Sequence, residues 1–123
     1  MRLSTQSMVL AALLAATPAA AADHGTAPER TAVLIAGLGH HHHAIKTRNP
    51  EAQKFFDQGL TLVYGFNHDE AIRSFRRAAE LDPDATMPHW GIAYALGPNI
   101  NLDVDPEREK AAFEATQKAL KGA

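Results

Sequence analysis

The side chains best suited to chemistry in this 123-residue chain are its seven histidines. Four stand in a row, His40-His41-His42-His43, with His24, His68 and His89 elsewhere. Neutral imidazole is the commonest protein ligand for zinc, copper and nickel. The tetrad can offer at least two nitrogens to one ion, and His68, in a turn, or His89, near a helix start, would complete the set. His40, His41, His42, His43, His68 and His89 are therefore the candidate metal ligands, for Cu, Zn or Ni. Consecutive residues do not preset a tetrahedral site, however, and no HExxH motif or other histidine pair at i, i+4 occurs. The same tract also reads as a solvated polar run, or as hydrogen-bonding groups that seat an arm.

Other chemistry is sparse. The chain has no cysteine, which excludes disulfides, thiolate metal sites and a cysteine nucleophile. No G-x-S-x-G turn, phosphate-cradling glycine loop or dinucleotide fingerprint is present. Asp69-Glu70 and Asp82-x-Asp84 are acid pairs, but each has a capping or turn explanation. Arg73, Arg76 and Arg77 read as a solvated face, with Asp69 to Arg73 and Arg76 to Glu80 as i, i+4 ion pairs. The loop 97–105 holds two Asn and two Asp without the order of a calcium loop. No catalytic residue is assigned. Twelve basic against 14 acidic residues give no electrostatic reason to bind nucleic acid.

The elements that would position these groups begin after residue 22. Arg2 precedes an uncharged, mostly apolar run, Met8 to Ala16, then Thr17-Pro18 and four alanines. That layout is a secretory signal peptide, with cleavage after Ala22. At 15 residues, Met8 to Ala22 falls short of the ~20 that span a bilayer. An exported, periplasmic or secreted protein of 101 residues and charge −3 is expected, with no membrane attachment after cleavage. Residues 23–48 form an arm carrying the histidine tract. Its one apolar run, Ala32 to Ala36, is too short to classify by periodicity.

From residue 49 the pattern is helical. Asn49-Pro50-Glu51 reads as cap, proline and acid at a helix start, and Phe55, Phe56, Gly59, Leu60, Leu62 and Val63 make one apolar face. Gly65 breaks this helix. Asn67 with Glu70 resembles a capping box, and the second helix runs to Leu81-Asp82-Pro83. A third starts near 84–86 and stops at Gly97-Pro98. A fourth opens at Asp105-Pro106-Glu107, with Gly122 as its cap. The fold expected is all-α, with no convincing strand.

The two hairpins repeat. Phe56 and Trp90, Gly59 and Ala93, and Leu62 and Leu96 are each 34 residues apart, the period of tetratricopeptide repeats. Phe55, Gly59, Leu62, Ala71, Phe75, Ala78 and Pro83 stand at the spacings of that motif, whereas Gln58 occupies a place usually held by a Leu-like residue. The chain resembles the tetratricopeptide-repeat (TPR) family over residues 50 to about 120. The strings His41-His42-His43-x-Ile45-x-Thr47, Phe66-Asn67-His68-Asp69-Glu70-Ala71 and Trp90-Gly91-Ile92-Ala93 are similar to exported bacterial members of it. The resemblance implies an irregular arm followed by two TPR-like hairpins that start an α-solenoid. The first repeat spans about 52–85 and the second about 86–123, with an enlarged turn at 97–105.

The resemblance also implies a scaffold that binds a peptide or protein surface in a concave groove, and it does not imply catalysis. The groove residues would be Gln53, Phe56, Leu60, Val63 and Tyr64 on the first helix and Met87, Trp90, Tyr94 and Gly97 on the third. Of these, Phe56, Leu60, Tyr64, Trp90 and Tyr94 would bind the partner. The alternatives are burial of the same aromatics, a periplasmic metal-binding protein, and more remotely a metal-dependent enzyme. Two repeats are few for a stable array. That implies capping by the arm, self-association through the last helix, or the front of a longer array, and the alanine-rich fourth helix favours the last.

Overall fold

The computed structural model describes residues 30–103 and 105–122. The expected signal peptide at 1–22, and His24, lie outside these residues. The described chain is an irregular arm, 30–49, followed by four helices: α1 Pro50–Tyr64, α2 His68–Leu81, α3 Met87–Leu96 and α4 Pro106–Leu120. Apart from one isolated antiparallel bridge, Asn99 to Leu102, no β-structure occurs among the described residues. The all-α expectation therefore holds.

Local chemistry explains the helix boundaries. Asn49 accepts from the Glu51 and Ala52 amides, with Pro50 in the first turn of α1. Asp105 accepts from the Arg108 amide and starts α4 in the same way. Asn67 caps α2 by accepting from the Glu70 amide, but only half of the anticipated capping box forms. The Glu70 carboxylate turns instead to Arg73, and the Asn67 amide donates back to the Leu62 carbonyl. On the arginine face of α2, Arg73 pairs with Glu70 and Arg77 with Glu80, both at i, i+3.

Gly65 ends the first helix as expected, whereas Gly122 is not the cap of the fourth. Gly65 ends α1 at an ordinary φ of −84°, and the left-handed residue is the next one, Phe66, at φ 58°. Phe66 N–H donates to the Val63 carbonyl and Asn67 N–H to the Leu62 carbonyl, which is the Schellman pattern with an aromatic where glycine usually stands. Gly122 does not close α4 in a left-handed conformation either. Lys121 is the cap, and Gly122 lies so close to Thr86 that a Cβ there would fall 2.4 Å from its methyl carbon.

Helices α1 and α2 pack together, as do α3 and α4, with α2 also against α3 and a smaller contact between α1 and α3. The centre is Phe75 on α2, fully buried with Phe56, Ala52, Ala71 and Ala78. An added Cβ on Gly59 of α1 would come 2.5 Å from the Phe75 ring, and one on Gly91 of α3 would come 2.6 Å from it. Phe75 thus fits between two helices only because both present bare backbone to it.

The arm is held to α1 by side chains that a helix would ordinarily turn to core or solvent. Gln58 is buried, donates to the Val33 carbonyl and the Ser74 hydroxyl, and accepts from the Ile35 amide. That accounts for a polar residue on the otherwise apolar buried face of α1. A buried amide is stable only when its groups are paired, and here they are paired by the arm and by α2. Gln53 accepts from the Ile45 amide and donates to the His43 carbonyl. At the end of the arm, Asp82 accepts from the Thr47 hydroxyl and the Arg48 amide. These bonds, the Thr47 hydroxyl first, hold its carboxyl below the ordinary range.

Candidate interaction site

The five residues expected to bind the partner separate into two groups. Phe56 and Leu60 are core, at 0% and 5% exposure, so they offer no surface to a partner. The Phe56 ring meets Phe75 at 5.5 Å between centroids, and the arm's His43 ring lies 6.1 Å away. Gln53 is engaged by the arm backbone and Val63 is buried. Apart from Tyr64 at its C-terminal end, the α1 half of the expected groove is therefore closed by the core and the arm.

The other three are open: Tyr64 is 68%, Trp90 41% and Tyr94 50% exposed. Trp90 and Tyr94 lie one turn apart on α3 and stack, with centroids 5.3 Å apart and planes 9° from parallel. Near the C-terminal ends of α1 and α3, Tyr64, Phe66, His68, Tyr94, Pro98 and Asn99 line a cleft of about 180 Å³. A second cleft of about 190 Å³ continues from it, sharing Phe66, His68 and Asn99 and adding Asp69, Asn101 and Leu102.

Phe66 is the residue that sequence reading missed. It is 62% exposed and held at positive φ, which costs an L-residue roughly 1–2 kcal/mol. Its ring meets His68 edge-on at 6.2 Å. Periodicity could not single it out, because it lies in the turn between two helices. The only signal was an aromatic immediately after a helix-ending glycine.

The far wall is the 97–103 loop, which folds back on itself. Asn99 and Leu102 exchange backbone hydrogen bonds of 3.0 and 3.2 Å, and the Asn99 side chain accepts from the Asn101 amide. The loop is thus a short ordered lip beside Phe66, with Ile100 88% exposed at its tip.

The histidines do not share a place. His42 meets Asp57 through Nδ1 at 2.7 Å, and the His43 amide donates to the other Asp57 oxygen, so the middle of the tract seats the arm on α1. His41 lines a separate crevice between arm and α1. His68 belongs to the aromatic cleft. His89 lines a cavity of about 410 Å³ among α2, α3 and α4, together with Arg76, Glu80, Glu114 and Lys118. Burial there, with repulsion from Lys118, lowers its pKa below the ordinary histidine value. Among the described residues no group of three or more His, Asp or Glu side chains is placed to hold a metal ion. His40 to His43, His68 and His89 are therefore not gathered into one ligand set.

No helix among the described residues is long and apolar enough to cross a membrane. Comparison with protein-family models, with curated proteins and with solved structures gives no match.

Proposed function

We propose that the chain is a tetratricopeptide-type interaction module, with α1–α2 and α3–α4 as its two hairpins, that binds an extended segment of a partner protein in the aromatic cleft. The observation that carries this reading is the stacked, half-exposed Trp90–Tyr94 pair beside the exposed Tyr64 and Phe66. Such aromatics are enriched where proteins meet, because large rigid rings bury much area at little entropic cost. The 34-residue spacing of Phe56 to Trp90 and Leu62 to Leu96 supports the repeat assignment.

The arm serves as the cap of the first hairpin. It covers the side of α1 that a preceding repeat would otherwise bury, using Gln53, Asp57 and Gln58 as anchors. This gives the histidine tract a structural duty through His42 and His43. Residues 1–22 direct export, which places the module in the periplasm or outside the cell. N-terminal sequencing of the exported protein should read Asp23-His24-Gly25 first, and a chain that still begins at Met1 would contradict export by this route.

Affinity capture tests the function. Wild-type protein should retain a partner that the Trp90→Ala plus Tyr94→Ala variant loses, and identical sets of captured proteins would refute the reading.

A further inference from the structure

We propose that the aromatic cleft takes a cationic side chain, arginine before lysine, presented by the partner's extended segment. This ligand chemistry rests on the interaction reading above and makes it specific.

Two observations carry it. The first is the cleft's wall. Tyr64, Phe66 and Tyr94 line one depression, and the Trp90 ring stacked on Tyr94 extends its aromatic surface. Ring faces are the negative parts of aromatic quadrupoles and attract cations, guanidinium most often. The second is charge. Lys and Arg are absent from residues 55–72 and 78–107, the segments that supply every residue lining the cleft. Acids are present there. Asp69 lines the continuing cleft directly, and Asp103 follows the lip residue Leu102.

Two of the neighbouring charges, Glu70 and Arg108, are already engaged. Glu70 pairs with Arg73 through a 2.5 Å contact. Arg108, which follows these segments, donates to the Ala95 carbonyl. Asp69 is thus the carboxylate that meets an incoming cation beyond Phe66. An anionic segment would meet the Asp69 carboxylate and ring faces, with no Lys or Arg among the described residues that line the cleft and His68 its one basic side chain, so complementarity selects the basic segment. The planar guanidinium also stacks on rings, which a lysine ammonium does not.

The test is a titration of the full chain with N-acetyl-arginine amide and with N-acetyl-citrulline amide, its uncharged isostere. The reporter is the indole N–H resonance of Trp90, the chain's single tryptophan. The arginine compound should saturate, with affinity about fivefold above citrulline, as a cation–π contribution of ~1 kcal/mol gives. Asp69→Asn should reduce that preference, and Phe66→Ala with Tyr64→Ala should abolish it. Equal binding of the two compounds, no saturable shift with the arginine compound, or a preference that survives the aromatic substitutions would overturn the inference. Partner capture that still depends on Trp90 and Tyr94 would then leave the interaction reading standing with a ligand of different charge.

Discussion

Trp90 and Tyr94 stack one turn apart on α3, nearly parallel, while each keeps two-fifths or more of its surface in solvent. Stacked rings contribute about 0.5–1.5 kcal/mol beyond the area they bury. Here that stabilisation fixes an exposed flat face and does not fill a core. The same helix turns Ile92, Ala95 and Leu96 inward, so α3 is rigidly seated on one side and aromatic on the other.

Phe66 should show a trade between stability and binding. Phe66→Gly removes the Cβ that disfavours the left-handed conformation and should stabilise the fold by ~1 kcal/mol. It also removes a ring from the cleft and should weaken partner binding. Urea unfolding together with partner capture checks both directions, and a loss of stability would show that the Phe66 ring supports the turn.

Gly59→Ala should be among the most damaging small substitutions. Its Cβ would fall 2.5 Å from Phe75, which is pinned from the other side by Gly91. Overpacking of this kind costs about 1–3 kcal/mol. Denaturant midpoints should fall accordingly, and Phe75→Leu in the same chain should recover part of the loss, because the ring is what the methyl strikes.

Gln58→Leu supplies the apolar residue usual at this place in the repeats that the sequence resembles, yet it should destabilise the arm. The Ile35 amide, the Val33 carbonyl and the Ser74 hydroxyl would each lose a partner. A hydrogen bond of this kind contributes about 0.5–1.5 kcal/mol net. Hydrogen exchange at the Ile35 amide should accelerate, with little change at the centre of α2.

The helices were legible in the sequence because their ends are written locally: Asn49-Pro50, Asn67, Pro83, Gly97-Pro98 and Asp105-Pro106 lie at or next to helix boundaries. The all-α fold followed from those ends and the apolar spacing between them. The site was legible only in part. Tyr64, Trp90 and Tyr94 stand exposed, but Phe56 and Leu60 on the same nominal face are buried. The core closes them, with the arm's His43 ring beside Phe56, and the path of the arm depends on Gln53, Asp57 and Gln58 finding backbone partners outside the helix that carry no periodicity. Phe66 was hidden for the converse reason, since its role comes from one backbone angle in a turn.

Stability should depend on pH through His89. Its pKa is lowered in the folded state by burial and by Lys118, so the unfolded chain takes up the proton first. The contribution of neutral His89 is complete above the ordinary value of 6.5 and is lost as pH falls from there toward the folded-state pKa. Denaturant midpoints should therefore decline as pH falls below the ordinary histidine value, and His89→Asn should flatten the decline. An unchanged slope in the variant would assign the pH dependence to other groups.

Site-specific photo-crosslinking from position 64 tests most directly whether the partner is held in the cleft beside Tyr64, Trp90 and Tyr94. Benzoyl-phenylalanine takes the place of the 68%-exposed tyrosine. A discrete adduct should form at position 64, disappear with Trp90→Ala plus Tyr94→Ala, and be absent when the same probe replaces Phe113 on α4. An adduct that persists in the double variant, or that forms at Phe113 and not at Tyr64, would contradict it.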